Sequence, residues 1–401
     1  MTDLLNLGRV NCAWQSITEP YQFQCMKMVG LHPDIMRSLS TERTEALLHV
    51  KDIMVLLVNP GGNPDGEDDD IEDEEDHEEN IGLARLKMVQ KTVQELYDWA
   101  TSRLLRKMPN VQYAAIIAHV DNPLSFTSSK FALQALTCLS NLSMVSIVAI
   151  NHLEGVYMAA QIVAGCTNLQ TLQVDMMSSP DYVAKYMRME NEERLVSGEL
   201  LPRMHLTSAI YQSHKLRKVT IAGPCLADPL DSETTRPALE EIEMSYQIGT
   251  HSLQGELVAS SSASLISLKL EAAGLLAAKA ILQGEGKDVT YPKLARVALL
   301  CTDEGSLTTE HLTSLGTSPV KFLSLTGLQV GKAVKEILEG TNHSILLHLE
   351  ALAISDFGED EGVKASLEKL CKDRGIDANI EFCNFQEIAD AFYEEYGELE
   401  I

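Results

Sequence analysis

An α/β solenoid, with a parallel strand ladder on its concave face and helices on its convex face, is the fold predicted by this 401-residue sequence. Three observations carry the prediction. A six-residue apolar pattern, L-x-x-L-x-L with conservative exchanges, recurs along the chain. Its strictest copies start at a nearly fixed spacing. Stretches of helical periodicity lie between the copies.

In chain order, the copies begin at Val50 (VKDIMV), Val111 (VQYAAI), Leu142 (LSMVSI), Leu169 (LQTLQV), Leu216 (LRKVTI), Leu239 (LEEIEM), Leu265 (LISLKL), Leu294 (LARVAL), Val320 (VKFLSL) and Leu349 (LEALAI). Several share a preamble of small polar residues, as in CTNLQTL and SHKLRKV. From Leu239 onward the starts are 26, 29, 26 and 29 residues apart. This is the upper end of the period of leucine-rich repeats. Helices are expected over 85–107, 130–139, 156–165, 274–284, 309–316, 330–340 and 362–375, several of them ending in Gly before a polar loop. The alternating stretch IDANIEF from Ile376 supplies a last strand.

The physical reading follows from the pattern. The last two apolar positions point inward from a short strand, and the first sits in the turn before it. One unit alone cannot bury that surface, so neighbours must stack. A doubly wound α/β domain also alternates strands and helices. However, no G-x-G-x-x-G follows the first strand, and the fixed period favours the solenoid.

Lys plus Arg total 32 against 58 Asp plus Glu, a net charge of -26. Nucleic-acid binding without sequence preference and docking on anionic lipid both need a cationic surplus, so neither is expected. No run of about 18 or more apolar residues suggests a membrane helix, and the N-terminus does not read as a secretory signal. Eight cysteines without a C-x-x-C pair suggest reduced, buried thiols. A cytoplasmic or nuclear monomer is expected.

Residues 65–79 (DGEDDDIEDEEDHEE) hold 12 of the 58 acidic residues, so the rest of the chain carries -26 + 12 = -14. A block of this kind repels itself and buries nothing, so a solvated insertion is expected over 62–81. Asp68, Asp70, Glu72 and Glu79 do fall at positions 1, 3, 5 and 12 of an EF-hand loop. The sixth position is Asp73, where the sharp turn needs Gly. The hydrolase elbow, the phosphate-binding loop and H-E-x-x-H are all absent. No catalytic, cofactor-binding or metal-ligating set is identified, and no enzymatic activity is expected.

The repeats are expected over 45–383, with an acidic amphipathic cap at 384–401. A small helical unit over 1–35 should cover the first repeat, because Leu4, Leu5, Leu7, Val10 and Trp14 are spaced for one helix face. The segment DLLNLGRVNCAWQSITEPYQF resembles the second half of an F-box, with Val10, Asn11 and Trp14 at its V-[NC]-x-x-W feature. Placed ahead of the repeats, it makes the chain similar to fungal F-box proteins with leucine-rich repeats. The resemblance implies a substrate receptor of a ubiquitin ligase. Leu4, Leu5, Val10 and Trp14 would then belong to the unit that binds a Skp1-like adaptor, and the repeats would bind an unknown substrate protein. The alternative expectation is a free-standing interaction scaffold without ligase attachment.

In either case the concave face is the expected binding surface. Its outward strand positions include Gln173, Arg217, Lys218, Glu241, Glu243, Lys269, Arg296 and Lys321. Their mixed signs form a charge mosaic, which suits a protein ligand better than a polyanion.

Overall fold

A computed structural model describes residues 24–28, 39, 41, 44–59, 99–120, 130–149, 152–176, 202–223, 237–245, 251–272, 289–301, 312, 315, 318–327, 329–340, 346–356 and 361–382. The chain divides into two units, residues 1–216 with 227–235 and residues 217–226 with 236–401.

Twelve strands are found among the described residues, all parallel to their neighbours. The first unit holds β1 (Cys25–Lys27), β2 (Asp52–Asn59), β3 (Tyr113–Val120), β4 (Met144–Ala149) and β5 (Thr171–Met176). They pair in chain order, each with the next. The second unit holds β6 (Lys218–Ala222), β7 (Glu241–Ser245), β8 (Ser267–Ala272), β9 (Arg296–Cys301), β10 (Phe322–Gly327), β11 (Ala351–Asp356) and β12 (Asp377–Phe382), again paired in sequence. In the first unit residues 99–105 are helical, within the stretch expected as a helix over 85–107, and α1 (Lys130–Thr137), α2 (His152–Gly165) and α3 (Pro202–Gln212) follow. The second unit has α4 (His251–Ser260), α5 (Val330–Glu339) and α6 (Glu361–Arg374). No described helix is long and apolar enough to cross a membrane.

The L-x-x-L-x-L pattern is where the core lies. In all ten copies the first, fourth and sixth residues are buried, from Val50, Ile53 and Val55 to Leu349, Leu352 and Ile354. The strands supply two of these by their two-residue alternation, and the turn ahead supplies the third. Just before the strands, two successive N–H groups donate to one carbonyl of the preceding unit. Ser143 and Met144 both donate to Gln112 O, Glu240 and Glu241 to Arg217 O, and Lys321 and Phe322 to Ala295 O. With this joint repeated and one face buried, a one-residue slip would expose every apolar side chain, so the register is fixed.

The polar preamble has a structural role of its own. Asn110, Asn141 and Asn168 each precede the first buried residue of a copy. Their Nδ2 groups donate to the carbonyls of Leu48, Pro109 and Ser140 at 2.7, 2.9 and 2.6 Å. Ser264 plays a related part in the second unit, its Oγ donating to Leu239 O at 2.8 Å. Turns that would leave carbonyls unpaired are thereby tied to the following repeat.

The glycines at the helix ends serve three different needs. Gly375 adopts φ +72 and ends α6 with backbone bonds from Gly375 N to Lys372 O and Ile376 N to Cys371 O, a left-handed C-terminal cap. Gly340 has φ -67 and ends α5 in extended conformation. Gly165 is required by packing, because a Cβ there would stand 2.5 Å from Thr137 Cγ2.

Asp356, at the end of β11, is buried and reaches back to the start of α5. Its Oδ1 accepts from Gln329 N at 2.9 Å and its Oδ2 from Gly331 N at 2.8 Å. Gln329, the residue before α5, has φ 56, so its own side chain does not cap the helix. The carboxylate of the next repeat does so instead, where the helix dipole favours negative charge. Asp356→Ala is expected to lower stability by about 1–3 kcal/mol, since it orphans two N–H groups, one of them at a buried glycine. Urea unfolding compared with the wild type measures this.

Four parts of the sequence reading need correction, the first being that Cys25 and Cys138, read as buried thiols, are exposed. Cys25–Lys27 were expected in the N-terminal helical unit but form a strand against β2. Here exposed Cys25 and Lys27 alternate with buried Met26, and β2 pairs their backbone groups. Helices α3 and α4 were not expected. Their buried positions include Thr207 and Ser208 in α3 and few large apolar residues in α4, so neither shows a clean stripe. Helix α2 begins at His152, four residues before the expected start. Residues 1–23, the insertion at 62–81, the helix at 274–284 and the cap at 384–401 lie outside the described residues, as does nearly all of 309–316.

Candidate protein-binding face

Each strand of the second unit buries one face and leaves the other open, as the alternation of half-buried and buried residues in β6, β7 and β11 shows. Register then sorts the open side chains into rows. One row runs Lys218, Glu241, Ser267, Arg296, Phe322, Ala351 and Asp377. The next runs Thr220, Glu243, Lys269, Ala298, Ser324, Ala353 and Asn379. Neighbours in a row are about 4.8 Å apart, so each row is a continuous ridge or trough set by side-chain size.

Charge is concentrated at the start of these rows. Glu241 is held from both sides, with Lys218 Nζ 3.0 Å from its Oε2 and Arg296 Nη2 3.1 Å from its Oε1. Arg296 reaches across β8 to do this, over the small Ser267. Lys269 Nζ lies 2.5 Å from Glu243 Oε1. On the rim, Arg217 faces Glu240 at 3.7 Å and donates to Ala238 O, and Lys321 Nζ meets Glu350 Oε1 at 2.7 Å. All these pairs are substantially exposed. Each contributes about 0–1 kcal/mol, so a partner can displace one without large loss.

The middle of the rows is different. Phe322 stands 46% exposed between Arg296 and Ala351. Beside it Ala298, Ser324 and Ala353 are short, and above them opens a groove of about 430 Å³ running from Ser267 to Asp377. A solvated aromatic ring beside a floor of small side chains suits an apolar anchor from a partner.

Seven of the eight predicted face residues thus lie in this unit. The structure joins Lys218, Glu241 and Arg296 in one cluster and Glu243 with Lys269 in a second, and sets Arg217 and Lys321 on the rim. Gln173 lies in the first unit, in register with Ser146. The open face there is mixed, with Asp52, Tyr113, Met144 and Thr171 in one row and Lys27, Met54, Ala115, Ser146 and Gln173 in the next. Leu4, Leu5, Val10 and Trp14 lie outside the described residues. Phe322, Ala351, Ala353 and Asp377 are not among the residues predicted for this face. The available signal was a run of small outward residues in adjacent copies, next to a single aromatic.

Among the described residues, no group of three or more His, Cys, Asp or Glu could hold a metal ion. No protein-family model matches the chain. No curated protein matches it significantly.

Proposed function

We propose that this chain is a leucine-rich-repeat solenoid that binds a protein partner on the open strand face of its second unit. The observation that carries the reading is Phe322, an exposed aromatic ring in a groove floored by Ala298, Ser324 and Ala353 and flanked by displaceable ion pairs. Interfaces gather their binding energy at such aromatic positions. The parallel, in-register ladder and the ten buried L-x-x-L-x-L triads support the repeat assignment.

The more specific role is that of a substrate receptor for a Skp1-cullin-RING ubiquitin ligase. It rests on the F-box-like residues Leu4, Leu5, Val10 and Trp14 in the sequence. The two attachments are separable by experiment. Affinity purification of Phe322→Asp is expected to lose the substrate proteins recovered with the wild type while retaining the Skp1-like adaptor. Trp14→Ala is expected to do the reverse. Substrate recovery unchanged by Phe322→Asp would refute the assigned face. Absence of the adaptor from the wild-type complex would leave the free-standing scaffold.

A further inference from the structure

We propose that the groove of the second unit receives a protein segment carrying an apolar anchor and, about 10 Å from it, a Lys or Arg side chain. The anchor packs on Phe322 and the cation pairs with Asp377. The proposal rests on the protein-binding reading of this face and adds the chemistry of the ligand.

The charge balance of the face points to it. Its cations Arg217, Lys218, Lys269, Arg296 and Lys321 are all engaged by Glu240, Glu241, Glu243 or Glu350. Asp377 and Glu381 on β12 have no cationic partner among the described residues, and Glu381 accepts only a long bond from Asn379 Nδ2 at 3.4 Å. The residual charge is therefore negative and sits on one side of the groove. An acidic segment would have to break existing pairs and would still face these carboxylates. A basic segment finds them open.

Geometry sets the spacing. Phe322, Ala351 and Asp377 are in register on successive strands, so ring and carboxylate are two strand spacings, about 10 Å, apart. Ala351 between them is too short to block a bound chain. An extended peptide rises about 3.3 Å per residue, so the anchor and the cation fall about three residues apart. The chain's net charge of -26 would also steer a basic partner toward it.

The test is a random dodecapeptide display library panned against the full chain. The expected result is enrichment of peptides with an aliphatic or aromatic residue about three positions from Lys or Arg. Asp377→Asn should weaken their binding about tenfold, as for loss of one charge-assisted contact. Asp377→Lys should shift selection toward acidic peptides. Both substitutions are at an exposed position, and an unchanged melting temperature confirms folding. No enrichment, or enriched peptides without a basic residue, would overturn the proposal. Peptides that depend on Phe322 but ignore Asp377→Lys would also overturn it, while leaving the protein-binding face intact. Binding indifferent to Phe322→Asp would overturn both.

Discussion

Leu323→Ala is expected to lower the stability of the second unit by about 2–5 kcal/mol, while Phe322→Ala, one residue earlier, changes it by no more than about 0.5 kcal/mol. The contrast arises from strand geometry. Leu323 points into the core and is 2% exposed, whereas Phe322 points to the open face. Deleting the Leu323 side chain leaves a cavity between Val297 on β9 and Leu352 on β11, its register partners. Because each repeat is stabilised mainly by its neighbours, that loss weakens both adjoining layers. Urea unfolding monitored by circular dichroism would measure both variants. For partner binding the order should invert, with the large effect at Phe322. Equal destabilisation by the two substitutions would contradict the assigned strand faces.

Raising the pH from about 9 to about 12 is expected to destabilise both units. In the first, burial pushes the Cys166 thiol up to about 12, with Cys138 adding to the rise. In the second, burial pushes the Tyr291 hydroxyl up to about 12, and burial also raises the Cys371 thiol, opposed by Arg374. The ordinary values are 9.0 for the thiol and 10.0 for the phenol. Below pH 9 these groups are protonated in both folded and unfolded chains, so their contribution is complete. Above it the unfolded chain releases protons that the folded chain retains, and stability falls by up to about 1.4 kcal/mol per pH unit for Cys166 and for Tyr291. The urea midpoint measured against pH should therefore fall through this window. Tyr291→Phe should flatten the fall above pH 10 in the second unit. A midpoint constant from pH 9 to 12 would show that the groups are not buried as described. The same burial predicts that Cys166 resists alkylation at pH 8 while exposed Cys138 reacts.

The ladder was legible because one constraint acts at every repeat. An inward position must be apolar whatever its neighbours, so Leu239, Ile242 and Met244 announce themselves as clearly as Leu265, Leu268 and Leu270. The helices follow a weaker rule. Helix α5 presents a clean apolar face with Val330, Ala333, Val334, Ile337 and Leu338 buried, and it was read from the sequence. Helix α3 buries Thr207 and Ser208 among its apolar residues and was not. The short strand at Cys25–Lys27 was missed because three residues carry too little alternation to outweigh the helical spacing upstream of them.

The face was legible in position but not in content. Spacing identified which side chains point outward, and it drew attention to charge. The structure shows those charges largely neutralising one another across strands, as Lys218, Glu241 and Arg296 do. What distinguishes the groove is the absence of bulk at Ala298, Ala351 and Ala353 beside Phe322. Small residues acquire meaning only once register places them side by side. Asp356 illustrates the same point, since nothing in its local sequence links it to a helix that begins 26 residues earlier.

Cross-linking of paired cysteines on the open face tests the ladder, and with it the groove, most directly. Ala298→Cys with Ser324→Cys, and Ser324→Cys with Ala353→Cys, place thiols on adjacent strands in register, about 5 Å apart. Ser267→Cys with Asp377→Cys places them four strands apart, about 19 Å. A short bifunctional thiol reagent, with the linked peptides identified by mass spectrometry, should join both adjacent pairs rapidly and leave the distant pair unlinked. Rapid linkage of the distant pair, or failure of both adjacent ones in folded protein, would contradict the sequential parallel ladder on which the proposed binding face depends.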